Sequence, residues 1–167
     1  EMRELVYYIV KREQEHFHFI IDSTGSTAAL AYGKAHRDNV GTSLHDFLRP
    51  EMRPLVLPLY GECAGRGLPA YTISMVNDIN GRRVIHERLL LPFFDDGKTS
   101  RIIASLKAIS DDGKFEINDL LRVPGKLPEY TLLAVIDQEL TLAPTVREVR
   151  QPSCDLPAAS ASDVVEI

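Results

Sequence analysis

Three hydrophobic runs separated by turn signals stand out between residues 70 and 109. The first run ends at Asn80-Gly81, and the other two, residues 84–94 and 100–109, flank Asp95-Asp96-Gly97. Glycine adopts the positive φ that tight hairpin turns require, so Asn-Gly and Asp-Gly between apolar runs predict antiparallel hairpins. We therefore predict three consecutive antiparallel strands, which need further strands and helices to cover their apolar face.

A second hairpin is predicted at the beginning of the chain. Residues 5–10 are apolar, β-branched or aromatic, which is typical of a buried strand. After a charged segment, Phe17, Phe19 and Ile21 fall on alternate positions, as in a strand with one buried face. Two strands therefore precede the middle of the chain.

The middle of the chain has the pattern of short helices. Hydroxyl residues at 23–27 precede an Ala-rich segment that ends at Gly33, and Ser43 precedes Leu44 and Phe47. Residues 51–66 carry apolar side chains at spacings of three and four, as an amphipathic helix does. Pro58 predicts a kink there, or a turn followed by a shorter helix.

The region after residue 112 has weaker patterns. A short helix is predicted within residues 115–123, and residues 130–136 predict a strand that either joins the sheet edge or contributes to a dimer. Ser, Ala, Pro and Asp dominate from residue 152 onward, which predicts disorder. We therefore divide the chain into a domain at 1–112, an extension at 113–151 and a tail at 152–167.

Charge and hydropathy narrow the class of partner. The formal net charge is -5, so no basic excess favours nucleic acid or an anionic membrane. No apolar run approaches the roughly 20 residues of a membrane span, and no signal-peptide pattern opens the chain. We expect a cytoplasmic protein in which Cys63 and Cys154 are free thiols.

The order of strands and helices predicts an α+β fold, and two motifs add a resemblance. The segments Gly41-Thr42-Ser43-Leu44-His45-Asp46-Phe47 and Glu87-Arg88-Leu89-Leu90-Leu91-Pro92-Phe93-Phe94-Asp95-Asp96-Gly97 resemble those of a bacterial stand-alone PAS-like family found in alphaproteobacteria. The resemblance covers about the first 110 residues. It implies a five-stranded antiparallel sheet around a small pocket, with a helical bracket on one face. It also implies a non-enzymatic sensory or interaction module that acts as a homodimer.

The candidate ligand-binding residues are Tyr32 on the bracket and Tyr71, Met75, His86 and Arg88 on the strands. Arg88 or His86 would orient an anionic or polar small molecule, since a buried charge needs a partner. The simpler alternative, which we favour, places both on the outer face of the sheet. Ordinary core packing explains Tyr32, Tyr71 and Met75 equally well.

No cofactor is predicted. Haem-binding PAS domains use a His on the last bracket helix, and residues 51–66 contain none. The flavin-adduct motif Asn-Cys-Arg-Phe does not match the surroundings of Cys63, which is better explained as a small apolar residue on a buried helix face. His16 and His18 share a strand face, but a solvated strand face explains them better than a metal site.

The alternative function is a small cone-shaped α+β enzyme or carrier. Such a protein would place a His and a carboxylate in its cavity, and the available pairs are His86 with Asp78, or His45 with Asp46. The strand count after the helices separates the two hypotheses. Three strands in sequence favour the PAS-like fold, whereas a meander that continues through Tyr130 favours the cone.

Overall fold

The fold is described from a computed structural model, which covers residues 3–14, 16–33, 38 and 40–137. Two strands come first, three α-helices and a 3-10 turn follow, and four strands complete the described chain. In order these are β1 (Leu5–Glu13), β2 (His16–Thr24), α1 (Ser26–Ala31), α2 (Leu44–Phe47), a 3-10 turn (Pro50–Met52), α3 (Arg53–Arg66), β3 (Ala70–Asn77), β4 (Arg83–Asp95), β5 (Lys98–Ile109) and β6 (Glu129–Val135).

All six strands form one antiparallel sheet in the order β2-β1-β5-β4-β3-β6. The hairpin β1–β2 and the meander β3–β4–β5 form as predicted, and β1 joins the two by pairing with β5. The α+β fold is therefore confirmed, but the sheet has six strands rather than five. The sixth strand is the predicted run near Tyr130, and it pairs with β3 at the sheet edge.

The helices cover one face of the sheet, and the main core lies between the helices and the sheet. Along β1, β3, β4 and β5 alternate residues are buried, as the two-residue period of a strand requires. Aromatic side chains join the two layers: the ring centroids of Tyr8 on β1 and Tyr60 on α3 are 5.2 Å apart. Phe19 on β2 lies 5.4 Å from the same Tyr60 ring.

Local sequence explains where the helices begin and end. The Ser43 hydroxyl accepts a hydrogen bond from the backbone N–H of His45, as an N-cap does. The predicted amphipathic helix forms as the 3-10 turn followed by α3, which continues through Pro58. It ends at Gly67, whose φ of +65° is the left-handed conformation that glycine adopts most readily.

The short helix predicted within residues 115–123 is wrong. These residues form successive turns, and Asp119 has a φ of +56°, which an α-helix does not allow. The backbone N–H groups of Asp119 and Leu121 instead donate to the carbonyls of Leu30 and Ala31 in α1. Leu120 is thereby buried, so this segment packs on the same body as the rest of the described chain.

Three earlier expectations concern other parts of the chain. None of the described helices has the length and apolar character needed to cross a membrane. The predicted disordered tail at 152–167, together with Cys154, lies outside the described residues. Cys63 is fully buried on α3, which confirms its prediction as a core residue.

Candidate functional site

Four polar residues occupy the helix-covered face of the neighbouring strands β3 and β4. On β3 these are Thr72 and Ser74, and on β4 they are His86 and Arg88. Thr72 lies opposite Arg88, and Ser74 lies opposite His86. The favoured expectation that His86 and Arg88 face outward is therefore wrong. They lie on the same face of β4 as core residues such as Leu90, and only 2% of His86 and 4% of Arg88 are exposed.

The predicted site residues divide between the two faces of the sheet. Tyr32 lies on the covered side and is buried with His86 and Arg88. Tyr71 and Met75 are half-buried and occupy the opposite face, because they alternate with Thr72 and Ser74. Tyr71 forms a side-chain hydrogen bond with Glu87 on that face. Tyr71 and Met75 therefore do not line a site with Arg88.

Arg88 lines a cavity of about 30 Å³ between the sheet and the helices. Its walls come from the helical segments, from the turns around residue 121 and from β4. The lining residues are Tyr32, Leu44, Phe47, Leu48, Arg49, Met52, Val56, Tyr60, Arg88, Leu121 and Arg122. We call this space the Arg88 cavity.

The Arg88 guanidinium lacks a counter-charge among the described residues. Tyr32 forms a side-chain hydrogen bond with it, but Nε and Nη1 have no partner in the described part of the chain. No described carboxylate forms an ion pair with it, and Thr72 Oγ1 across the strand pair also lacks a partner. A buried charge left without a partner costs about 3–5 kcal/mol, so this side chain is suited to an anion from outside.

Two further tyrosines surround Arg88 and supply hydrogen-bond donors. Tyr8 and Tyr60 form a side-chain hydrogen bond with each other. Burial raises the pKa of both hydroxyls, so both remain protonated at neutral pH. Burial acts to lower the pKa of Arg88, but the surrounding tyrosines raise it, so the net shift is upward and the guanidinium stays charged at any ordinary pH. The site therefore combines a fixed cation with neutral hydroxyl groups.

Two more arginines line the Arg88 cavity. Arg49 pairs with Glu51 at 3.1 Å and donates to the carbonyl of Lys126 at 3.0 Å. The guanidinium carbon of Arg122 lies 5.3 Å from the centre of the Phe47 ring, within the range of a cation–π contact. The lining residues include three cations and no carboxylate, and of the three only Arg49 forms an ion pair among the described residues, with Glu51 outside the cavity.

Of the His–carboxylate pairs of the alternative enzyme hypothesis, His86 with Asp78 is not assembled, whereas His45 and Asp46 line a surface groove of about 620 Å³. The Asp78 carboxylate accepts hydrogen bonds from the backbone N–H groups of Asn80, Arg82 and Glu116, which lowers its pKa. His86 contacts Ser74 instead. His45 and Asp46 lie 3.1 Å apart, but both are exposed on α2.

Two further candidates from the sequence are a metal site at His16 and His18 and the thiol of Cys63. No group of three metal-ligating side chains occurs in the described ranges, and His18 lies 3.7 Å from Glu13 on the first hairpin. Burial raises the pKa of the Cys63 thiol to about 12, so it is protonated and unreactive at neutral pH.

Sequence reasoning missed Tyr8, Tyr60, Arg49 and Arg122. Tyr60 falls on the apolar stripe of the predicted helix, so its burial could be found, but its contact with β1 could not. Neither a protein-family model nor a curated protein matches the chain.

Proposed function

We propose that this protein is a PAS-type sensory module whose Arg88 cavity binds a small anion. The observation that carries the proposal is the buried Arg88 guanidinium, with two nitrogens that have no partner among the described residues. An anion would remove the cost of the uncompensated charge and would find neutral hydroxyl donors beside it. Binding to this site therefore has a physical driving force.

The size of the Arg88 cavity limits the ligand. A volume of about 30 Å³ is close to the share of one water molecule in the liquid. The cavity therefore holds one water-sized group, such as chloride, and formate, nitrate or the head group of a longer carboxylate would enter only if the walls move. Met52 and Leu121, two of the wall residues, have unbranched or flexible side chains that adapt in this way.

The architecture also supports a PAS-type assignment over a cone-shaped enzyme. Of the four strands that follow the helices, β3, β4 and β5 pair consecutively, and the sheet does not continue as a meander from β5 to β6. Instead β6 crosses to the far side and pairs with β3. The two motifs that resemble the PAS-like family lie at the start of α2 and along β4, which carries Arg88.

The signal would leave the domain through a homodimer. The edge strand β6 exposes Leu132 and Leu133, and an unpaired edge favours association with another chain. Strand β1 is paired with a neighbouring strand at both edges, so it could contact a second protomer only through the outer face of the sheet. A ligand with different affinity for two dimer packings would shift their populations, and a protein partner would sense that shift.

The test is a thermal-shift titration of ligand-free protein in chloride-free buffer at constant ionic strength. Formate, acetate, nitrate and chloride are added to the wild type, to Arg88→Gln and to Arg83→Gln. Arg83 is the matched control because it lies on the same strand, carries the same charge and is exposed. We expect at least one anion to stabilise the wild type and Arg83→Gln but not Arg88→Gln. Native mass spectrometry of protein purified from its own host would then identify a retained ligand and the oligomeric state.

The opposite result would be equal stabilisation of all three proteins by every anion, since that is a general salt effect. No stabilisation of the wild type by any anion would also count against the proposal, provided that mass spectrometry shows the protein to be ligand-free. A strictly monomeric protein at high concentration would refute the homodimer part alone.

A further inference from the structure

A second cavity lies on the same covered face, between α1 and the strands β4 and β5. It measures about 140 Å³ and is lined by His86, by aliphatic side chains that include Ala28, Ala31 and Leu120, and by the polar residues Glu4, Thr27 and Lys107. None of its lining residues belongs to the Arg88 cavity. We call it the His86 cavity, and what it binds is independent of the function proposed above.

The hydrogen bonds of His86 leave one ring nitrogen without a partner. The Ser74 hydroxyl donates to the carbonyl of His86 at 3.4 Å, and its oxygen lies 3.4 Å from His86 Nδ1. Because the hydroxyl has one proton, it accepts from Nδ1 when it donates to the carbonyl. Nε2 is then an unprotonated acceptor, and no described residue donates to it.

The charge state of the ring is consistent with this tautomer. Burial, together with the nearby charge of Arg88, lowers the pKa of His86 to about 3. The ring is therefore neutral at physiological pH. Glu4 and Lys107 at the cavity are both exposed and carry opposite charges, so they impose no net charge on a ligand.

Water alone is a poor occupant of the His86 cavity. A buried water needs two to four polar partners, whereas the wall is mostly aliphatic and His86 is its one buried polar side chain, since Thr27 is half-buried and Glu4 and Lys107 are exposed. A cavity of about 150 Å³ lined by apolar side chains binds benzene, which sets the scale of a suitable ligand. Burial in such surroundings also disfavours a charged molecule.

We propose that the His86 cavity binds a small neutral molecule with an apolar body and one hydroxyl or N–H donor. The body has about six to eight non-hydrogen atoms, as a benzene-sized cavity requires. Its donor hydrogen bonds to His86 Nε2, and its apolar part contacts the aliphatic wall. This is a second ligand site beside that of Arg88, and it selects by hydrogen bonding and shape instead of charge.

The test uses phenol and toluene, which have the same size but differ in their hydrogen-bond donor. Binding to the full chain is measured by NMR with ¹⁵N-labelled histidine, in buffer without the small anions used for Arg88. We expect both probes to bind, phenol about fivefold more tightly, and only phenol to shift the Nε2 resonance. In His86→Phe the ring shape is kept and the acceptor is lost, so the two probes should bind equally.

Three results would overturn the proposal. One is the absence of binding by either probe to the wild type, which would leave water as the occupant. Another is a wild-type Nε2 that carries the proton, since the ligand would then have to be an acceptor. The third is a phenol preference that persists in folded His86→Phe. If that variant does not fold, the tautomer and the phenol shift of the wild type still decide the matter, and neither readout depends on anion binding.

Discussion

Replacing Arg88 by Met should make the ligand-free protein more stable. The substitution removes a charge that is 4% exposed and has no counter-charge among the described residues, and it keeps a side chain of similar length. Exchanging buried charges for apolar residues of similar volume stabilises proteins by about 1–4 kcal/mol. The lost hydrogen bond with Tyr32 offsets about 1 kcal/mol of this gain. We expect a net gain of about 2 kcal/mol, or about 4–8 °C in the unfolding midpoint.

The assay is urea unfolding followed by far-UV circular dichroism, because the chain has no Trp for fluorescence. Protein shown by mass spectrometry to be ligand-free is compared with and without a saturating anion. Without it, Arg88→Met should unfold at higher urea than the wild type. With anion at 100 times its dissociation constant, the wild type should gain about 2.7 kcal/mol and the variant nothing. The difference between the two proteins should then disappear or change sign.

The control is Arg83→Met, which removes an exposed charge from the same strand and should change stability by less than about 0.5 kcal/mol. The reasoning is refuted if ligand-free Arg88→Met has a native spectrum but is less stable than the wild type by about 1 kcal/mol or more. Arg88 would then be paired within the protein itself, and no external anion would be needed to balance its charge.

Four other substitutions test three separate features. The folded-state pKa of His86 is lowered to about 3, so near pH 6.5 this histidine takes up a proton in the unfolded chain but not in the folded protein. Stability should therefore fall as the pH drops below 6.5, by about 2 kcal/mol at pH 5, and His86→Phe should abolish that part of the loss in urea titrations. Gly67→Ala should lower the free energy of unfolding by about 1–2 kcal/mol, because φ is +65° and the added Cβ would lie 2.8 Å from the Phe94 ring. Gly61→Ala, within α3, should raise it by about 0.5–1 kcal/mol. Calorimetry measures both changes. Asp78→Asn replaces an acceptor oxygen by a donor, so it should lower the melting temperature and speed hydrogen exchange at the Glu116 amide. Unchanged exchange at that amide would contradict the role given to Asp78.

Much of the covered face could not be predicted because, on β3, the more apolar set of alternating residues faces away from the helices. Tyr71 and Met75 form the more apolar set, yet they occupy the face opposite the helices. The more polar set, Thr72 and Ser74, is buried. Exposing an apolar residue costs less free energy than burying a charge. The rule that charged residues lie at the surface therefore favours placing Arg88 on the outer face. A binding site is the kind of place where that rule fails.

The segment after residue 112 shows the same limit. Leu120 and Leu121 have a spacing compatible with a short helix, and the sequence alone offers no reason against it. The backbone of this segment instead hydrogen bonds to carbonyls at the end of α1. Those carbonyls lie about 90 residues earlier in the chain, so no local pattern could have indicated them.

Local chemistry by itself determined the hairpins, the helix ends and the alternation of side chains on each strand. These depend on residues a few positions apart, such as Asn80-Gly81 at a turn or Ser43 beside His45. Only the tertiary structure decided which set of alternating side chains the helices cover, because that depends on the pairing of β1 with β5 and on the path of the chain between β2 and β3. A strand has two faces with the same period, and contacts distant in sequence select between them. That selection buried Arg88 and created both cavities.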